Sequence, residues 1–197
     1  MRSGLCDEEK MIEFAGDIYR ECRQLIALVD DILKLSRLDE GSAAIQEEVV
    51  DLYAMSAEVL ERLRTNAATA GVSLRLEGDH QQIAGVWRIL DEMIYNLCEN
   101  AIKYNKEGGR VTVRVTGDSR SGVVSVSDTG IGIPKAQQDR VFERFYRVDK
   151  SHSRAIGGTG LGLSIVKHGA QVHNAQVTLE SEPDVGTTVT IAFGKEG

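Results

Sequence analysis

The sequence lacks any apolar run approaching the roughly 20 residues that a membrane-spanning helix needs, and no signal peptide opens it. It has three cysteines, Cys6, Cys22 and Cys98, an odd number without C-x-x-C spacing. That pattern argues against a disulfide framework and a zinc site, and suits the reducing cytoplasm. The histidines His80, His152, His168 and His173 form no tight metal-ligand grouping. Positive charge is in deficit: 23 Lys and Arg stand against 30 Asp and Glu, a net charge of −7, which speaks against general nucleic-acid binding. No G-x-x-x-x-G-K-[ST] run is present, so there is no Walker loop. What remains is 197 residues, 42% of them hydrophobic, enough for one domain with a core plus an appendage.

The appendage comes first. Asp7-Glu8-Glu9 places acid in the first turn of a helix, where the dipole favours it. Ala15, Ile18, Cys22, Leu25, Val29, Ile32 and Ser36 then recur at three- and four-residue spacing, and Gly41 is a suitable stop. Such a helix is either a core-facing helix of one globule or one member of a helical hairpin that dimerises; the regularity and terminal position favour the hairpin. A boundary is expected near Gly41 to Gln46, dividing residues 1–43 from a domain at 44–197.

The rest predicts an α+β domain with helices covering one face of a mixed sheet. Strands are expected over Glu48 to Tyr53, Val72 to Leu76, Gln81 to Ala84, Val111 to Val115, Val123 to Val126, Val177 to Leu179 and Thr187 to Phe193. Helices are expected over Met55 to Ala70, Trp87 to Tyr104 and Leu161 to His173. Gly130 to Gly160 shows little periodicity, apart from Ala136 to Phe142. A loop of roughly 25 residues in a compact domain reads as a functional lid.

Three segments carry chemistry. Asn96, Asn100 and Lys103 lie at i, i+4 and i+7, on one face of an otherwise apolar helix. They read either as a polar surface stripe or as a phosphate site, in which an Asn oxygen holds Mg²⁺ and Lys103 reaches phosphate or ribose. Asp128 ends a strand, and Gly130 and Gly132 relieve the following turn. Its carboxylate can accept from an exocyclic amine and so distinguish adenine from guanine, with Ile131, Ile133 and Leu161 around the base; the plainer reading is a strand-ending turn. Gly158-Thr159-Gly160-Leu161-Gly162-Leu163 runs into a helix whose N-terminus offers free N–H groups to an anion. Between the clusters, Arg140, Arg144, Arg147, Lys150 and Arg154 against Glu143 and Asp149 give a local net of +3. Arg144 and Arg147 can neutralise triphosphate oxygens. Phe142, Phe145 and Tyr146 would anchor the lid to the core.

N-x-x-x-N-A-x-K-Y from Asn96, D-x-G-x-G-I-P from Asp128, V-F-E-R-F-Y-R from Val141 and G-G-T-G-L-G-L-S-I-V-K-H from Gly157 resemble, in order, the motifs of bacterial two-component sensor histidine kinases. About Val50 to Phe193 is similar to their ATP-binding catalytic domain, and Leu25 to Gly41 to the second helix of their dimerisation domain. The resemblance implies an α/β sandwich with a mixed sheet of about five strands. It implies ATP and Mg²⁺ as ligands, with Asn100 on the metal and Asn96 and Lys103 on the nucleotide. Tyr104 would pack near base or ribose, Asp128 would bind the adenine amine, and Arg147 and Arg144 would contact phosphate. Gly158, Thr159, Gly160, Leu161 and Gly162 would form the lid's hinge and wall. Implied partners are a response regulator and a second copy of the full-length protein.

The family's phosphoacceptor histidine sits on the first dimerisation helix, and none of the four histidines here lies in that context. The chain therefore reads as a fragment that binds ATP without a histidine of its own to phosphorylate, its membrane attachment lying in further segments. The competing reading is an ATPase of the gyrase, chaperone or mismatch-repair type, which carries a Glu base four residues before the metal-binding Asn. That position is Asn96, and an amide is no useful base. A third reading is an ATP-sensing interaction module without transfer.

Overall fold

A computed structural model describes residues 8–39, 47–118, 121–148 and 158–194. Helix α1 spans Glu8–Asp39, as the spacing predicts. Its apolar stripe is open: Ile18, Tyr19, Leu25, Ile26 and Val29 are each more than half exposed. Leu28 is the exception and packs against the buried pair Leu161 and Ile165. The side chains of Ile32 and Ser36, and the boundary expected at Gly41 to Gln46, lie outside the described residues.

Strand β1 (Glu48–Asp51) is shorter than expected, because Leu52 and Tyr53 open helix α2 (Leu52–Thr69). The cause is Asp51. Its Oδ1 accepts from the N–H groups of Tyr53 and Ala54, both at 3.0 Å, which caps the helix and ends the strand. Its Oδ2 lies 2.7 Å from His80 Nδ1. Strand β3 (Gln82–Gly85) pairs antiparallel with β1 in a separate two-stranded sheet.

The main sheet has the order β2 (Ser73–Gly78), β4 (Arg110–Gly117), β5 (Ser121–Asp128), β7 (Gly186–Gly194), β6 (Gln176–Glu182). Only β2 and β4 run parallel, so the sheet is mixed, as expected. Period-two alternation puts Val111, Val113, Val115, Val124, Val126, Val189 and Ile191 on one buried face. Register stacks Val113 beside Val126 and Val115 beside Val124.

Helices α2, α3 (Trp87–Lys103) and α5 (Gly162–Val172) cover that face, while α4 (Lys135–Gln138) is a single turn in the long loop. Leu90, Met93, Ile94 and Leu97 of α3 are buried, and α3 packs against α2, α5, β4 and β5. An ion pair from Arg62 to Asp91 joins α2 to α3, and the guanidinium lies 5.6 Å from the Tyr95 ring centroid. His173 Nε2 accepts from the Val86 N–H at 2.9 Å, tying the end of α5 to the start of α3. Among the described residues no helix is long and apolar enough to cross a membrane.

Burial works against ionisation of Asp51, but the backbone N–H of Ala54, the His80 contact and the Tyr53 N–H outweigh it and hold its carboxyl below the usual range. A depressed carboxylate stabilises the fold above its unfolded pKa and loses that contribution as pH falls through the folded value. Asp51→Ala is therefore expected to cost about 1 kcal/mol at pH 7. Urea unfolding of both proteins should show this gap shrinking toward pH 3; a pH-independent gap contradicts the cap.

Candidate functional site

One cleft lies between α3, the ends of β5 and β7, and the long loop. Its wall is largely apolar: Leu97 and Ala101 from α3, Val126, Leu179 and Val189 from the sheet, Val141 from the loop and Leu163 from α5. Polar groups gather at its two ends.

Asp128 stands at the first end, on the last residue of β5. Its Oδ1 accepts from the N–H of Gly130 at 2.8 Å and of Thr187 at 3.2 Å. Burial raises its carboxyl pKa, and these two hydrogen bonds work the other way. With Oδ1 committed to backbone, Oδ2 is the oxygen available to a ligand. The loop after Asp128 is fastened on both sides. The Ile131 N–H donates to the Tyr104 carbonyl at 3.1 Å, and its carbonyl accepts from Asp184 N–H at 2.9 Å. The Ile133 N–H donates to Ser181 Oγ at 2.8 Å. Gly132 sits at φ 65°, where a Cβ would lie 2.0 Å from the Glu182 carbonyl oxygen, so the turn requires glycine.

The second end is built by α3 and the start of α5. Asn96 is buried, and Asn100 and Lys103 are half-buried on the same helix face. A Cβ on Gly162 would lie 2.9 Å from Asn96 Oδ1 and 3.3 Å from Asn100 Nδ2, so the first turn of α5 abuts the amide pair. Leu161 is the N-cap of α5, and no side chain caps the helix. Uncapped N–H groups and the positive end of the dipole favour an anion there. Lys103 Nζ lies 5.7 Å from the Tyr104 ring centroid and beside Gly158, whose added Cβ would come within 2.6 Å of it. Burial pushes the Tyr104 hydroxyl pKa up, while Arg147 nearby lowers it and Glu99 raises it. Arg147 and Tyr146 line the cleft, and the Arg140 guanidinium stacks 4.3 Å from the Tyr146 ring centroid. Gly160 also lines the cleft, and its carbonyl accepts from Phe145 N–H at 3.0 Å. Thr159 Oγ1 accepts from Leu161 N–H at 3.2 Å.

Three sequence expectations need correction. Leu161 is fully buried with Ile165 and does not line the cleft; Leu163 takes that place, because residues two apart at a helix start point to different sides. Arg144 is exposed and outside the cleft wall. Phe145 is 56% exposed at φ 63°, so it does not anchor the loop as Phe142 and Tyr146, both half-buried, can. Lys150 and Arg154 lie outside the described residues. Sequence reasoning missed Thr187, whose N–H orients Asp128; the signal was its place directly after Gly186, at the start of β7. Cys98, beside the site in sequence, is buried with its thiol pushed up to about 12 and serves packing.

Residues 85–196 match the family described as histidine kinase-, DNA gyrase B- and HSP90-like ATPase. The chain belongs to this family. It is similar to the sensor-like histidine kinase SenX3 of Mycolicibacterium smegmatis, 36% identical over 95% of this chain and 49% of that protein. It is also similar to the sensor histidine kinase WalK of Bacillus subtilis, 34% identical over 88% of this chain and 29% of that protein. The chain thus spans half or less of the length of these relatives. Among solved structures, the mycobacterial sensor histidine kinase MprB is 29% identical, with TM-score 0.66 over 76% of this chain and 97% of that one. Full-length ShkA in complex with AMPPNP shares the fold at 23% identity, with TM-score 0.77 over 99% of this chain and 41% of that one. The domain is therefore an ATP-binding domain of the sensor histidine kinase type.

Gly162 has an ordinary helical place, so alanine suits its backbone but intrudes on the amides. Gly162→Ala is expected to change folding stability by less than about 1 kcal/mol. It should weaken ATP binding about tenfold through displaced amides. Calorimetric titration beside a thermal melt separates the two; unchanged affinity removes Gly162 from the site.

Proposed function

We propose that this chain is the kinase half of a two-component sensor histidine kinase. It binds ATP with Mg²⁺ in the cleft and presents the γ-phosphate to a histidine on another segment, for relay to an aspartate of a response regulator. The observation that carries this reading is the pairing of the two cleft ends. A half-buried carboxylate with one oxygen tied to backbone faces an apolar slot, and an amide pair meets a helix N-terminus at the other end. The slot suits a purine, and the far end suits phosphates.

The residues present fit a magnesium nucleotide. Among the described residues there is no group of three or more His, Cys, Asp or Glu to hold a metal on its own. A cation would then be held by the Asn100 oxygen together with phosphates and waters, the arrangement Mg²⁺ favours. Mg²⁺ supplies charge neutralisation on the phosphates. Asn96, Lys103, Tyr104 and Arg147 surround the same end, and Gly158, Thr159, Gly160 and Gly162 let backbone approach it. At the base end, Asp128 accepts from the adenine amine, with Gly130, Gly132 and Ile133 shaping the loop. Phosphoryl transfer then rests on positioning and charge neutralisation rather than on a base, since Asn96 stands where an ATPase of this fold carries a carboxylate.

None of the four histidines lies in the context of the family's acceptor, so the acceptor histidine is assigned to a separate segment. The exposed stripe of α1 supports residues 1–43 as part of a dimerisation domain that pairs two copies of the full-length protein, with residues 44–197 as the catalytic domain. The full-length protein is proposed to be anchored in the cell membrane through other segments, leaving this domain in the cytoplasm.

Asp128→Asn places an amide donor against the adenine amine. The expected loss is about 2–3 kcal/mol, or roughly 30–150-fold in ATP affinity, with relative affinity for GTP raised. Wild-type affinity in calorimetric titration would remove Asp128 from the base site. Asn100→Ala should erase the Mg²⁺ dependence of ATP binding in the same titration; an unchanged Mg²⁺ response places the metal elsewhere.

A further inference from the structure

Asn96 is only 7% exposed, so its amide cannot rely on water for partners. Its Nδ2 donates to the Glu92 carbonyl oxygen at 2.8 Å and to Glu92 Oε1 at 3.2 Å. Both amide hydrogens are thus committed to a single residue one helical turn earlier. This network sets the orientation of the amide, because the flipped group would direct Oδ1 at two acceptors. Oδ1 faces the other way, toward Gly162, where a Cβ would lie 2.9 Å from it and 3.3 Å from Asn100 Nδ2. Asn96, itself outside the cleft wall, therefore presents only an acceptor toward Gly162, beside Asn100, which does line the cleft.

We infer that Glu92 is a positioning residue for the nucleotide's metal: its carboxylate locks the Asn96 amide so that Oδ1 faces the cation, or a water bound to it. This rests on the magnesium-nucleotide reading above. The Glu92 carbonyl alone satisfies one amide hydrogen. Without the carboxylate, the second hydrogen of a buried amide lacks an acceptor, and one of the two bonds that oppose rotation of the amide is lost. Rotation replaces an oxygen facing the cation with an N–H donor, which a cation repels. Partners that orient metal ligands from behind commonly change metal affinity 10–100-fold when removed. Glu92 is half-buried on α3 and, like Asn96, lies outside the cleft wall; its contact toward the cleft end runs through Asn96, whose Oδ1 abuts Gly162 beside the cleft-lining Asn100.

The test is a titration of ATP binding with Mg²⁺, and with chelator in its absence, for wild type, Glu92→Ala and Glu92→Gln. Glu92→Ala should raise the Mg²⁺ concentration for half-maximal binding about tenfold, while metal-free ATP affinity stays within about twofold. Glu92→Gln keeps an acceptor oxygen at the same place and should restore wild-type Mg²⁺ dependence to within about threefold. A purely structural role would shift both affinities and the melting temperature together. Wild-type Mg²⁺ dependence in Glu92→Ala overturns the inference, as does a Glu92→Gln protein as weak as Glu92→Ala. If wild type binds no ATP even with Mg²⁺, the nucleotide site itself is refuted, a failure visible before any variant is compared.

Discussion

The seating of α3 on β4 and β5 is the contact on which the rest of the site depends. Leu90, Met93, Ile94 and Leu97 bury against the valine face of the sheet, and this fixes the rotation of the helix about its own axis. Once the apolar stripe is buried, the 3.6-residue period leaves Asn96, Asn100 and Lys103 no choice of direction. Asn96 and Asn100 face the start of α5, Asn100 lines the cleft, and Lys103 lies beside Gly158. The flanking helices hold α3 from both sides, α2 through Arg62 and Asp91, and α5 through the His173 tie to Val86. The amide pair is thus held by a rigid core, which is what recognition of a small polar ligand requires.

At the opposite end the sheet does the corresponding work. Strand β5 stops at Asp128, and β7 starts beside it, so the Thr187 N–H meets the carboxylate that β5 delivers. The Asp128 side chain organises its own loop through Gly130 and keeps one oxygen for the cleft. Its raised pKa reflects the cost of holding a carboxylate in a half-buried, apolar setting. The same setting strengthens a hydrogen bond to a ligand amine, because little water competes there. On the proposed reading, selectivity for adenine and a costly desolvation are two sides of one placement.

The strongly periodic parts of the fold were legible in the sequence. The valines of β4 and β5 announced a buried sheet face, and the α3 pattern announced both its burial and its polar stripe. Boundaries set by single side chains were harder to read. Asp51 turns a strand into a helix two residues early through cap bonds, and no periodicity carries that information. Side-chain direction at irregular backbone was also hidden. Leu161 and Leu163 sit in the same glycine run, yet the local helix start buries one and turns the other to the cleft. Arg144 and Arg147 look alike in sequence and part company in the turn that follows α4. Thr187 became visible as a site residue only when the register placed β7 beside Asp128.

The central claim is that the cleft serves transfer of phosphate to a histidine rather than to water. The most direct measurement supplies γ-labelled ATP and Mg²⁺ together with a separate protein carrying the acceptor helices, and follows the label. Transfer of acid-labile label to the acceptor histidine, with slow release of free phosphate, is the predicted result. Label appearing only as free phosphate would contradict the account and assign the chain to hydrolysis.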